Sequence, residues 1–209
     1  MACRAFRAGA HHDREAAVNL IQEDPSVSPM TSWKEFAQKT RVPAGTVLGI
    51  LFLVLMHPSA RSLCIGAAIT VPGALLRLWA AGHIDKGRAL TQGGPYALTR
   101  NPLYLGSFLM ALGIILGGQG YWLLPPFGLF FAAFYIPVMQ AEAESLRRVY
   151  GQDFVEYSAR VPAFLPAFRK ARAGSSAFLW SRVVQNREHR NVIGLLVAEA
   201  ILLVKYFLQ

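Results

Sequence analysis

The residues best placed to do chemistry are Tyr96, Arg100 and Tyr104, gathered in the stretch GGPYALTRNPLYLG at 93–106, and Glu142, the first acid after a long uncharged run. Arg100 offers a planar cation that can grip a carboxylate through two parallel hydrogen bonds. An acid at 142, directly after an apolar crossing with no other acid, is a candidate for holding a cationic ligand group. Gly93, Gly94 and Pro95 prevent helix from reaching back, and Pro102 sits where the next helix can start without losing a needed N–H. The backbone between them is therefore irregular. At membrane depth such backbone persists only where it is buried in protein or lines a polar cavity. A ligand pocket supplies that cavity; a connecting loop with an interfacial Tyr–Arg girdle is the alternative, and the residues alone leave both open. Glu142 and Glu144 fall on different sides of one helix, so they read either as ligand contacts or as part of a solvated face, as Asp153 and Glu156 do.

The elements that must position these residues follow from the charge pattern. Between Asn101 and Ala141 there is no Asp, Glu, Lys or Arg, enough for two crossings at roughly 20 helical residues each. Gly117-Gly118-Gln119-Gly120 is a natural turn in the middle, which predicts helices at about 102–117 and 121–140. Upstream, Val42 to Ala60 lacks formal charge, and Ser62 to Leu76 is apolar before Arg77 and Trp79, which read as interface residues. These runs predict a first hairpin turning near His57-Pro58-Ser59. The last run, Asn191 to Val204, is interrupted by Glu199 and closed by Lys205, and predicts a fifth crossing or an interfacial helix.

Composition agrees with this reading. The chain has 209 residues, 54% hydrophobic and 16% charged, with a mean hydropathy of +0.34, too apolar for an ordinary soluble domain. The expected fold is all-α: a polytopic integral membrane protein of about five transmembrane helices. Residues 1–41 read as an N-terminal tail without the continuous apolar core of a signal peptide, 42–168 as the membrane core, and 169–209 as a basic linker and final helix. Trp33, Lys34 and Phe36 read as an interface anchor, and 171–176 as linker. Basic residues crowd the tail, the 83–100 connection and the 141–190 segment, while the intervening connections hold only Arg61. The positive-inside rule then puts the N-terminus, the 93–106 motif and the basic segment on the cytoplasmic side. The net charge of +9 suits that topology and anionic lipid, and argues against a nucleic-acid partner. Cys3 and Cys64 offer neither a disulfide nor metal spacing.

Two motifs carry a resemblance. GPYALTRNPLYLG, followed after one apolar hairpin by E-x-E-x-L-x-x-x-Y-G-x-x-F-x-x-Y-x-x-x-V-P-x-F-L-P, resembles the isoprenylcysteine carboxyl methyltransferase and phospholipid N-methyltransferase superfamily of integral membrane methyltransferases over about residues 70–168. The resemblance implies a helical membrane enzyme that binds S-adenosyl-L-methionine on the cytoplasmic side and methylates a lipophilic acceptor. By position it implies cofactor contacts at Gly94, Pro95, Tyr96, Asn101, Pro102, Tyr104, Glu142 and Glu144, with Glu142 the better match to the acid that holds the cofactor's amino group. It implies catalytic roles for Arg100, Asn101 and Tyr104, and no metal. Asn101 stands where the family has histidine; an amide donates and accepts hydrogen bonds but cannot titrate. The acidic pair is split by Ala143, and no arginine precedes it at 136–140.

Methyl transfer from a cationic sulfonium suits such a site, because a carboxylate acceptor and the donor neutralise each other in a cavity with little water. An amine acceptor must also lose a proton, and only His83 lies near the motif in sequence; it reads as a base or as an interfacial histidine. Arg77 reads as a snorkelling residue or as a second anion contact. The acceptor is expected to be the carboxylate of a prenylcysteine-like or other lipid, or a lipid amine, entering from the membrane. A sterol-type reductase using a reduced nicotinamide cofactor and a non-catalytic membrane scaffold are the competing readings.

Overall fold

Residues 32–84, 89–167 and 177–209 are described by a computed structural model of the chain, and every regular element among them is helical. The helices are α1 (Ser32–Leu55), α2 (Ala60–His83), α3 (Pro102–Gly117), α4 (Leu124–Tyr150), α5 (Gln152–Arg160), α6 (Trp180–Gln185) and α7 (Glu188–Phe207), with short 3₁₀ turns at Gly94–Ala97 and Tyr121–Leu123. The spans Ala60–His83 and Tyr121–Tyr150 are long and apolar enough to cross a membrane; Val42–Leu55 and Pro102–Gly117 are shorter apolar helices. Large apolar side chains such as Val47, Val54, Ile65, Val71 and Leu129 point outward, the surface a lipid-facing bundle presents and a water-facing one avoids. The fold is the all-α membrane protein the composition predicts. Of the expected tail at 1–41, residues 1–31 lie outside the described residues, as do the linker at 171–176 and the side chains of Trp33 and Lys34, whereas 32–41 form the first turns of α1.

The third helix runs over Pro102–Gly117 as the punctuation predicts, and the first hairpin turns at 56–59. Other ends move outward. The apolar run stops at Leu76, but the second helix reaches His83, the end that the interfacial-histidine reading gives it, and Arg77 within it has a partner described below. Beyond Gln140, α4 continues to Tyr150 because AEAESLRRVY is rich in strong helix formers; Arg147 and Arg148 favour its C-terminal dipole, and Gly151 at φ +54° ends it. The last helix exceeds its apolar run, spanning Glu188–Phe207.

Packing between α2 and α3 rests on two glycine stripes. Gly66 and Gly73 on one helix meet Gly113 and Gly106 on the other, so close that a Cβ on Gly66 would lie 2.6 Å from the Gly113 carbonyl oxygen, and one on Gly73 2.9 Å from that of Gly106. Small residues at an antiparallel interface let two helices approach without any hydrophobic drive from lipid. Ser62 ties the same interface at its far end, donating to the Gly117 carbonyl at 2.7 Å. There Phe52, Met56, Ile115, Leu123, Phe127 and Leu202 form the main apolar core. Lys205 of α7 donates to the carbonyls of Leu53 and Val54, at 2.8 and 2.7 Å, closing the open C-terminal end of α1. At the opposite end Glu188 starts α7 beside Arg77 and Leu103. The final helix thus runs the length of the bundle.

Candidate functional site

The motif at 93–106 and the segment at 161–167 are both irregular, and they satisfy each other. Arg100 N–H donates to the Pro162 carbonyl at 2.9 Å, Ala167 N–H to that of Leu98 at 3.0 Å, and the Thr99 hydroxyl to that of Phe164 at 2.9 Å. The Asn101 amide donates to the Ala163 carbonyl at 2.8 Å, and the Tyr157 hydroxyl to the Tyr96 carbonyl at 2.7 Å. Backbone partners for the motif thus come from protein. Gly94 sits at φ +59°, and a Cβ there would lie 2.6 Å from the His83 ring, so both conformation and space call for glycine.

Above this clasp, and against α4, lies a cavity of about 470 Å³, in the range of small-molecule sites. Tyr96, Arg100, Asn101 and Glu142 line it. Gly94, Pro95, Pro102, Tyr104 and Glu144 do not; Pro95 and Pro102 are fully buried and build the clasp, and Glu144 lies exposed on α4. Tyr104 reaches the site through another residue: its hydroxyl donates to Glu142 Oε1 at 2.6 Å. Its ring stands edge-on to Tyr135, which stacks on Phe131 with centroids 4.5 Å apart. An aromatic column thereby fixes the acid that faces the cavity. Apolar walls come from Ile136, Met139, Leu146, Phe154 and Phe164.

Two polar groups in this wall lack hydrogen-bond partners among the described residues, Tyr96 Oη and Arg100 Nε, and both atoms are buried. The Arg100 guanidinium lies 5.9 Å from the centroid of Phe154. Burial pushes the Tyr96 hydroxyl well above the usual phenol range, and the neighbouring Tyr157 and Glu142 add to it. Tyr157 is raised by burial as well, with Arg100 opposing. Both hydroxyls therefore remain neutral donors. A buried donor left unmade costs about 1–3 kcal/mol, a cost that an acceptor on a bound ligand would remove.

His83 is placed off the cavity: its Nδ1 lies 2.9 Å from the Trp79 carbonyl oxygen, and its ring packs on Trp79 and Phe178. Arg77 also stays outside, held by Glu188. Tyr157 and Phe154 were visible in the sequence only as elements of a motif. The carbonyls of 162–164 left no side-chain signal at all. Replacing Tyr157 with Phe should strip the Tyr96 carbonyl of its partner and lower stability by about 1–3 kcal/mol. Denaturation of the detergent-solubilised variant measures it, and an unchanged midpoint would make that bond dispensable.

A family model for phospholipid methyltransferase matches residues 44–153, just over half of the chain. A cobalt-zinc-cadmium resistance protein of Cupriavidus metallidurans is 34% identical over 102 residues, 48% of this chain and 47% of that protein. A nickel-cobalt-cadmium resistance protein of Alcaligenes xylosoxydans xylosoxydans is 32% identical over 120 residues, 56% of each. The chain thus spans about half the length of the curated relatives it matches. No solved structure matches it.

Proposed function

Since the chain belongs to the phospholipid methyltransferase family, we propose that it transfers a methyl group from S-adenosyl-L-methionine to a lipophilic acceptor, with the motif end of its bundle at the cytoplasmic face. The observation that carries this reading is the polar inventory of the cavity. Among the described residues one lining carboxylate, Glu142, faces a space that also holds two buried donors without hydrogen-bond partners, Arg100 Nε and Tyr96 Oη, on largely apolar walls. An α-amino acid end presents an ammonium and a carboxylate. The cavity offers the complement of both.

When bound, the cofactor supplies a methyl group on a cationic sulfonium. Glu142, whose Oε1 accepts from the Tyr104 hydroxyl, would accept from the ammonium, and Arg100 and Tyr96 would donate to the carboxylate. Phe154 and the apolar side chains around it exclude water, which favours a step in which charge is neutralised. Asn101 holds the clasp through the Ala163 carbonyl and serves as no base. Transfer to a carboxylate releases no proton, so the site needs none. Transfer to an amine releases one, which leaves to solvent, because Glu142, the carboxylate among the described lining residues, holds the ammonium. Both acceptors, a prenylcysteine-like or other lipid carboxylate and a lipid amine, stay within the proposal. Arg100 is the sole basic side chain among those described lining residues. The relatives' names speak of metal resistance, but among the described residues no group of three or more His, Cys, Asp or Glu could hold a metal ion. The proposal rests on the methyl-transfer site.

The test is incorporation of label from methyl-labelled cofactor into the lipid phase of membranes containing the protein. Label released as methanol by mild base identifies an ester, and label retained identifies an amine. No incorporation across a lipid extract from the native membrane would contradict the proposal. In the same assay Arg100→Lys keeps the charge but loses the planar fork, and kcat/KM should fall about tenfold, a loss of ~1.4 kcal/mol. Full activity would reduce Arg100 to a topology residue.

A further inference from the structure

Arg77 is the most heavily engaged side chain near the site, though it does not line the cavity. Its Nε and Nη2 meet the two carboxylate oxygens of Glu188 at 2.5 and 3.1 Å. Its Nη1 donates to the Leu103 carbonyl at 3.0 Å and to the Ser107 hydroxyl. The side chains are 14% and 4% exposed, so this is a buried, fully forked pair. Gly106 clears its path, since a Cβ there would lie 2.5 Å from Arg77 Cγ. Leu103 stands between Pro102, which starts α3, and Tyr104, whose hydroxyl donates to Glu142. The matched family region ends at 153, and Glu188 opens a helix 35 residues beyond it.

From these contacts we infer that Arg77 and Glu188 are positioning residues: through them the C-terminal helix, lying beyond the family-matched region, fixes the start of α3 and thereby the Tyr104–Glu142 contact. Glu188 makes the buried guanidinium tolerable and turns it, and the turned guanidinium holds the Leu103 carbonyl. An unpaired charge at that depth is strongly unfavourable, whereas an apolar pair of similar volume is commonly tolerated. The two roles, stability and positioning, are therefore separable. Lys205 provides the comparison, because it pins the other end of α7 far from the motif.

The bearing on catalysis rests on the methyltransferase reading, but the test does not. Hydrogen exchange is followed by mass spectrometry on the unliganded, detergent-solubilised protein at residues 99–105, where the amides of Thr99, Arg100, Tyr104 and Leu105 are hydrogen-bonded. Glu188→Gln should speed exchange there at least tenfold, while Lys205→Met leaves that stretch unchanged. The double variant Arg77→Met/Glu188→Met should regain the wild-type thermal midpoint yet keep the fast exchange, and it carries the test if Glu188→Gln does not fold. Equal acceleration by both α7 variants, no acceleration in Glu188→Gln, or recovery of slow exchange in the double variant would each overturn the inference. A wild-type protein that fails to bind cofactor would sink the methyltransferase proposal and leave this exchange pattern untouched.

Discussion

Replacing Glu142 with Gln should weaken binding of S-adenosylhomocysteine by about 10- to 100-fold while leaving the fold intact. Glutamine keeps the shape and can still accept the Tyr104 hydroxyl, so the aromatic column of Tyr104, Tyr135 and Phe131 stays assembled. What is lost is the charge. A hydrogen bond to a charged group is worth about 1.5–3 kcal/mol against about 1 for a neutral one, and losing the attraction to an ammonium as well makes tenfold, ~1.4 kcal/mol, the low end of the expectation. Titration calorimetry on the detergent-purified variant gives the dissociation constant. Glu144→Gln is the internal control, because Glu144 does not line the cavity. If that control weakened binding and Glu142→Gln did not, the ammonium contact would belong to Glu144.

The largest structural effect is expected at Gly113. A Cβ there would lie 2.7 Å from the Gly66 carbonyl oxygen and closer still to the Thr70 hydroxyl. Neither neighbour can give way, since Thr70 Oγ1 is held at 2.8 Å by the Gly66 carbonyl of its own helix. Gly113→Ala must therefore push α2 from α3, and overpacking of this kind costs about 1–3 kcal/mol or more. The consequence reaches the site, because α2 carries Arg77 and α3 begins at Pro102. Gly128→Ala on α4 is the contrasting substitution, as nothing lies within 4 Å of its added Cβ; the gain in helix propensity there is up to about 1 kcal/mol. Thermal unfolding in detergent should rank Gly113→Ala well below wild type and Gly128→Ala at or above it. Equal midpoints would mean that the glycine stripes do not set the α2–α3 distance.

These two cases show where sequence reading succeeds and where it stops. Helix α3 was legible to the residue because a proline starts it, a glycine cluster stops it and no charge interrupts it. Helix α4 was cut ten residues short because the apolar run ends at Gln140, while helix propensity alone carries the backbone on to Tyr150. The seven-residue spacing of Gly66 and Gly73, and of Gly106 and Gly113, was present in the sequence, but it gains meaning only when two antiparallel helices are set against each other. Arg77 read as a snorkelling residue or as a second anion contact in the cavity; neither reading found Glu188, because that partner lies 111 positions away. At the candidate site, Tyr96, Arg100 and Glu142 line the cavity; the family resemblance singled them out, while residue type alone left a connecting loop and a solvated helix face open. Tyr104 was placed among the catalytic and cofactor contacts; what the sequence did not show is that its hydroxyl donates to Glu142. The carbonyls of Pro162, Ala163 and Phe164 that hold the motif were illegible, since backbone acceptors are common to every residue.

The most direct measurement is calorimetric titration of the purified wild-type protein with S-adenosylhomocysteine, beside reduced nicotinamide dinucleotide phosphate as comparator. Saturable binding of the first and none of the second is the predicted result. A folded sample that binds only the dinucleotide, or neither compound, would contradict the assignment of the cavity to a methyl donor.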